Sequence, residues 1–417
     1  MTDDTALTAI RVVIALLAAA VVVALVTRRL RVPYTVGLVL LGLGVGIIRP
    51  GAELAITPAL VLAVLLPGLI FEAAFRIDSA TLRPSLIGVL FLAVPGVLVV
   101  AVVVAVILHA ATGLALSSAF LVGAMVAATD PAAVIATFKH LGAPERLATA
   151  VEAESLLNDG TGIVIFTIAL AATSGSGSLA DGVVRFVLVV AGSAILGGLA
   201  GWLATQFLAL SNDPLVELTM SLVLAYGAYL VADALGGSGI IATTVAGVTL
   251  GGYGRRHGLS ARAANSIDQV WEFIAFVLTA LIFMLVGLAI DLGMLLSDIV
   301  PIAWAILAIL AARALVVYVL LGGAARVLAR GEKSIIPDGW LHVLFWAGLR
   351  GAVSVALVLS LPIDLTDRAL IAAIVYGVVL FTLLVQGSTA DLVIGKALGR
   401  GAFEAVAEGP AGPEGGA

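Results

Sequence analysis

The sequence predicts an all-α polytopic membrane protein of about thirteen transmembrane helices, and three observations carry that reading. Hydrophobic residues make up 62% of the chain and charged residues 11%, where an ordinary soluble domain carries about 25% charge. Apolar stretches of roughly 17–25 residues, each long enough to cross a hydrocarbon core, recur from end to end. The basic residues between them fall almost wholly on one side. The bilayer, not a water-excluding core, is then the main solvent, and helices satisfy their own backbone groups there.

Taken in order, the spans lie near 8–26, 33–48, 56–74, 84–109, 114–138, 147–171, 182–209, 214–234, 237–252, 266–290, 298–321, 339–362 and 369–394. The first follows Met1-Thr2-Asp3-Asp4, which lacks the basic start of a cleaved signal, so it reads as a retained helix. Turn-forming segments such as Ser174-Gly175-Ser176-Gly177 and Ser211-Asn212-Asp213-Pro214 separate later spans. Span 5 is interrupted by Thr129-Asp130-Pro131, where Pro removes a helix donor and restricts the residue before it. Span 12 is interrupted by Gly348-Leu349-Arg350-Gly351. The two broken spans are seven apart in order, so they run in opposite directions across the membrane. That predicts inverted repeats, spans 1–6 and 8–13 with span 7 as connector, and matched broken helices point to a transporter's site. No soluble domain fits between spans, and the Gly/Pro/Glu/Ala tail, 401–417, is expected to be disordered.

Loop charge tests the count. With the N-terminus outside and the C-terminus inside, fifteen of the twenty-one Lys and Arg lie in inner loops. Arg49, Arg185 and Arg368 lie outside, and Arg11, Arg313 and Arg350 fall within spans. This is the asymmetry of the positive-inside rule, and it places the chain in a cell membrane, with the lipid bilayer as its partner. The net charge of −5 implies no nucleic-acid partner. The absence of cysteine excludes disulfides, thiolate catalysis and Cys-based metal sites. The four His are scattered without ligand-like spacing.

One polar cluster interrupts this apolar chain: Glu154-Ser155-Leu156-Leu157-Asn158-Asp159 in span 6. Burying it costs several kcal/mol unless something binds it. Ser155 and Asp159 are i, i+4 on one helical face, with Glu152 a turn nearer the inner end; Glu154 and Asn158 form a second stripe about 100° round. Such oxygen ligands suit hard cations. Asn158-Asp159-Gly160 also has turn chemistry, but apolar residues continue on both sides. Asp130 complements the positive N-terminal end of a half-helix, Arg350 the converse, and the break frees carbonyls near Thr129 to ligate a cation. Glu72 either faces the site or sits at the interface beside Arg76. Arg313, mid-span, calls for a structural ion pair, with Glu154 a candidate partner. Asp268 and Glu272 line a vestibule or the interface, while Glu217 and Asp233, near span ends, need no function. Trp271, Trp304, Trp340 and Trp346 read as interface and core.

Ala128-Thr129-Asp130-Pro131, Glu152-x-Glu154-Ser155-Leu156-Leu157-Asn158-Asp159 and Gly348-Leu349-Arg350-Gly351-Ala352-Val353-Ser354, together with Phe71-Glu72 and Trp271-Glu272-Phe273, resemble the signature set of the monovalent cation/proton antiporters. The likeness is to the NhaP-type and animal exchanger branch, which carries Asn-Asp rather than Asp-Asp. It implies an NhaA-like antiporter fold with two crossed discontinuous helices. A core domain would comprise about 84–171 and 298–394, and a dimerisation domain about 8–74 and 182–290, giving a homodimer. It implies an ion site of Asp159, Asp130, Ser155, Thr129 and Glu72 for transported Na+ or Li+, with no resident cofactor. Asn158 would brace Thr129, and Glu154 would pair with Arg350 or Arg313. The chain lacks the long regulatory tail of animal members, so no soluble partner is carried over.

The expected activity is transport rather than enzymatic catalysis: electroneutral exchange of one cation for one proton, by alternating access, with Asp159 holding either. The alternatives are a K+/H+ antiporter, a sodium-coupled symporter of an organic anion gripped by Arg313 and Arg350, and an ion channel. The acidic pair opposes the symporter, and no filter-like loop supports the channel.

Overall fold

A computed structural model describes residues 3–30, 32–48, 57–173, 179–210, 213–328 and 336–399. The predicted disorder of 401–417 therefore lies outside the described residues. Among those residues all regular structure is helical, and each of the thirteen expected spans has its helix. They are α1 (Asp3–Leu30), α2 (Tyr34–Ile48), α3 (Leu66–Arg76) and α4 (Val97–Thr112), then the half-helices α5 (Leu116–Ala127) and α6 (Ala132–Leu141). There follow α7 (Glu145–Thr173), α8 (Leu179–Leu208), α9 (Pro214–Ala234), α10 (Gly239–Thr249), α11 (Ala261–Leu288) and α12 (Ile299–Ala314). The half-helices α13 (Asp338–Trp346) and α14 (Ala352–Leu359) precede α15 (Arg368–Phe381). Eight helical runs in the described residues are long and apolar enough to cross a membrane.

Local chemistry sets the ends. Asp213 caps α9, Ser238 caps α10 and Ser260 caps α11, each side chain accepting from a backbone N–H of the first turn. Glu217, expected to need no function, is fully buried and accepts from the backbone N–H of Ser260 at 3.1 Å, so it secures the entry to α11. Trp271 is fully buried as well, and its indole N–H donates to Ser221 at 2.9 Å. Pro95 lies in a widened π-turn, Leu92–Gly96, ahead of α4. The carbonyl of Ala93 in that turn accepts from the Thr161 hydroxyl of α7 at 2.5 Å.

Packing falls into two groups. In one, α4 lies against α5 and α12, and α5 against α7 and α15. In the other, α2 lies along α11, while α10 is surrounded by α3, α8 and α9. Where the groups meet, α7 touches α10 at Gly160, whose missing Cβ leaves room for the side chain of Ile241. On its outer face α8 leaves Val183, Val187, Leu188, Ile195, Leu199 and Leu203 exposed, a stripe suited to lipid or to another protein.

Candidate cation site at a crossing of broken helices

The two breaks strand backbone groups at membrane depth, where lipid offers no hydrogen bonds. Neighbouring side chains meet these groups one by one. The Thr129 N–H donates to Asn158 Oδ1 at 3.0 Å, and Asn158 Nδ2 donates to Thr129 Oγ1 at 2.6 Å. The Ser155 hydroxyl donates to the Thr129 carbonyl. Ser354 Oγ donates to the carbonyl of Met125, left free by the break, at 2.7 Å. At the other break the Arg350 N–H donates to Thr382 Oγ1 at 3.0 Å, and its guanidinium donates to the Gly348 carbonyl at 2.8 Å. The breaks also bond each other: the Asp130 N–H donates to the Leu349 carbonyl at 2.8 Å. This is the predicted crossing of discontinuous helices.

Asp130 serves both halves. Its carboxylate accepts from the Ala132 N–H at 3.0 Å and from the Ala352 N–H, the first residues of α6 and α14. One negative charge thus caps two positive helix ends. Gly351 makes this possible, because a Cβ there would collide with the Asp130 carboxylate. Gly351→Ala is expected to cost about 1–3 kcal/mol of stability by overpacking and to impair function at the same time. Gly44, whose Cβ would meet open space inside α2, is the control: Gly44→Ala should leave transport unchanged and melting temperature equal or slightly raised.

Behind the crossing lies a buried ion pair. Arg313 donates to the two carboxylate oxygens of Glu154 at 2.7 and 3.0 Å, and to the Leu344 carbonyl at 2.9 Å. Glu154 is 1% exposed and Arg313 5%, which removes both from water. Of the two arginines open to Glu154 from the sequence, the structure selects Arg313. Arg350 instead donates to the Gly348 and Leu349 carbonyls, in the break between α13 and α14. Asn158 Nδ2 also donates to Glu154 Oε1 at 3.3 Å, tying the pair to Thr129.

The other stripe of α7 faces open space. A cavity of about 720 Å³ is lined by Thr129, Asp130, Ser155 and Asp159, and further out by Glu152 and Glu72. It extends to Arg76, Lys139 and Glu145, the last two exposed. Asp159 makes no hydrogen bond or ion pair among the described residues. It is thus a free carboxylate at the inner wall of the cavity. Glu72 lines the same space but is bonded to Arg76 at 2.8 Å, and Arg76 also reaches Glu272 at 3.2 Å. Asp268 pairs with Arg255 at 3.0 Å.

All five candidate ligands therefore border one cavity, with Glu72 held toward its mouth. The turn alternative at Asn158-Asp159-Gly160 fails, since α7 runs through it unbroken. The anion-gripping alternative fails too: Arg313 and Arg350 are both engaged, and neither is among the described residues lining the cavity. Sequence reasoning missed Gly351 as the seat of Asp130, and Thr382 and Ser354 as partners of the freed backbone. It placed Glu152 on the right face but gave it no role.

A family model for the transmembrane sodium/hydrogen exchangers matches residues 13–394. The chain is 39% identical to the Na+/H+ antiporter ApNhaP of Aphanothece halophytica, over 88% of this chain and 70% of that protein. It is 34% identical to the Na+/H+ antiporter NhaP of Pseudomonas aeruginosa, over 77% of each. In fold it resembles the sodium proton antiporter MjNhaP1 of Methanocaldococcus jannaschii, with a TM-score of 0.74 at 22% identity, covering 94% of this chain and 99% of that one. With a family model spanning nearly its whole helical region, the chain belongs to the sodium/hydrogen exchanger family.

Proposed function

We propose that this protein exchanges a monovalent cation, Na+ and with it Li+, for H+ by alternating access, one for one. A single observation carries the reading: Asp159 stands unpaired at the inner wall of an open cavity, beside the Ser155 hydroxyl and the Thr129 carbonyl. Both of those oxygens keep a lone pair beyond their mutual hydrogen bond, and oxygen ligands with a carboxylate suit a hard cation. Asp159 holds a proton or a cation, not both. Asp130 is committed to two helix ends and contributes field more than a coordination site. Asn158, an amide bonded to Thr129 and Glu154, supplies no second titrating charge beside Asp159, which favours an electroneutral ratio.

The moving unit in this reading is the group of helices around the crossing, about 84–171 and 298–394. The hydrogen bonds that satisfy both breaks all begin and end inside it, which supports motion as one body. The remaining helices, about 8–74 and 182–290, form the stationary part, with the apolar outer stripe of α8 available for a homodimer. The cavity mouth, marked by Arg76 and Lys139, faces the cytoplasm of a cell membrane, with the N-terminus outside and the C-terminus inside.

Fluorescence dequenching in proteoliposomes with Na+, Li+ and K+ in turn tests the function and the cation together. Proton efflux driven by Na+ and Li+ is expected; a response to K+ alone would shift the assignment to K+/H+ exchange. Competition for one carboxylate sets the pH dependence. As pH falls, protons occupy Asp159 and apparent sodium affinity should drop, approaching tenfold per pH unit once protonation dominates. An affinity that stays flat from about pH 9 to about pH 6 would rule out a shared site.

A further inference from the structure

Among the described residues, Glu152 is the one carboxylate inside the cavity, away from its exposed rim, that neither the ion site nor the scaffold uses. It lies on the same stripe of α7 as Ser155 and Asp159, three and seven residues toward the mouth, and its side chain lines the cavity. Like Asp159, it makes no hydrogen bond or ion pair among the described residues. The other cavity-lining charges differ. Glu72 is held by Arg76, Asp130 by the two helix ends, and Lys139 and Glu145 are exposed at the rim. A mostly buried carboxylate without a partner is expensive, so its retention calls for an occupant that comes and goes.

We infer that Glu152 is a staging site for the transported monovalent cation on the cavity side, a residue that sets apparent affinity by concentrating the cation before it reaches Asp159. The inference rests on the proposed exchange reading. Seven helical residues put Glu152 about 10 Å from Asp159 along the axis. That is too far to share one ion, and near enough for its charge to lower the energy of a cation entering the narrow part of the cavity. Between an effective dielectric of about 80 and about 20, one charge at that distance changes cation occupancy by roughly two- to fifteenfold. Lys139 at the rim acts with the opposite sign and sets a threshold that Glu152 offsets. The helix makes the effect one-sided. Glu152 lies on the mouth side of Asp159, so in the alternate state, when Asp159 faces the other way, it is off the ion's route.

Sodium kinetics measured from each face, in right-side-out and everted vesicles, test this. Glu152→Gln should raise the KM for sodium by about two- to fifteenfold from the cavity side. KM from the other side and kcat should remain as in the parent, and Glu152→Asp should recover most of the lost affinity. Raising ionic strength with a large impermeant salt should shrink the difference between parent and Glu152→Gln. Equal KM changes from both sides, a loss of kcat with unchanged KM, or no change in either would overturn the inference. The exchange reading stands or falls separately, on Asp159→Asn.

Discussion

Asp159→Asn is expected to reduce sodium-driven proton flux to the background of empty liposomes while leaving a folded protein. The substitution keeps the side chain's size and removes only the charge that binds either load. It breaks no hydrogen bond, because Asp159 makes none among the described residues. A neutral amide is also cheaper to hold in this setting than an unpaired carboxylate. Melting temperature should therefore stay at or slightly above that of the parent. This separates loss of the carrier from loss of the fold, which flux alone would not do. Exchange that survives undiminished in the variant would sink the assignment of Asp159.

Arg313→Ala should have the largest effect on stability. The substitution strands the Glu154 carboxylate, 1% exposed, and removes the donor that satisfies the Leu344 carbonyl. Breaking one side of a buried ion pair costs about 3–5 kcal/mol. The double variant Arg313→Met, Glu154→Leu removes both charges. It should recover most of that loss, because paired buried charges contribute little net stability beyond apolar residues of similar volume. It should still fall short of the parent by about 1–3 kcal/mol, the cost of the unpaired Leu344 carbonyl. Thermal unfolding in detergent of the parent, the single and the double variant reads this out directly. A double variant no more stable than the single would show that the arginine acts through packing rather than charge.

Architecture was largely legible in the sequence because a bilayer leaves few choices. Span length, loop charge and Pro131 are local signals, and each of the thirteen spans found its helix. The stripes of α7 were legible too, since helical periodicity alone places Ser155 and Asp159 on one face and Glu154 and Asn158 on another. What periodicity does not supply is contact between segments far apart in the chain. Arg313 and Arg350 are alike in type and depth, and only the packing of α12 against the rest decides which reaches Glu154. The seat of Asp130 in Gly351, 221 residues on, is likewise invisible until the breaks cross. Glu217 shows the same gap: its burial follows from how α9 packs against the entry to α11, not from its place near a span end.

In the proposed exchange, the crossing also fixes which states of the carrier are able to move. Each half-helix start carries about +0.5 of charge and each half-helix end about −0.5. The two starts, α6 and α14, are balanced by Asp130; Arg350, bonded to the Gly348 and Leu349 carbonyls in the break, is the positive charge set against the two ends, of α5 and α13. Glu154 and Arg313 cancel each other. At the crossing itself, what remains is Asp159. Bearing a proton or a sodium ion, it leaves the crossing neutral overall; bearing neither, it leaves one net negative charge to be carried through the least polarisable part of the membrane. The tight coupling of exchange is then a self-energy barrier: an unloaded carrier is held still by the Born cost of its own charge, with no separate gate required.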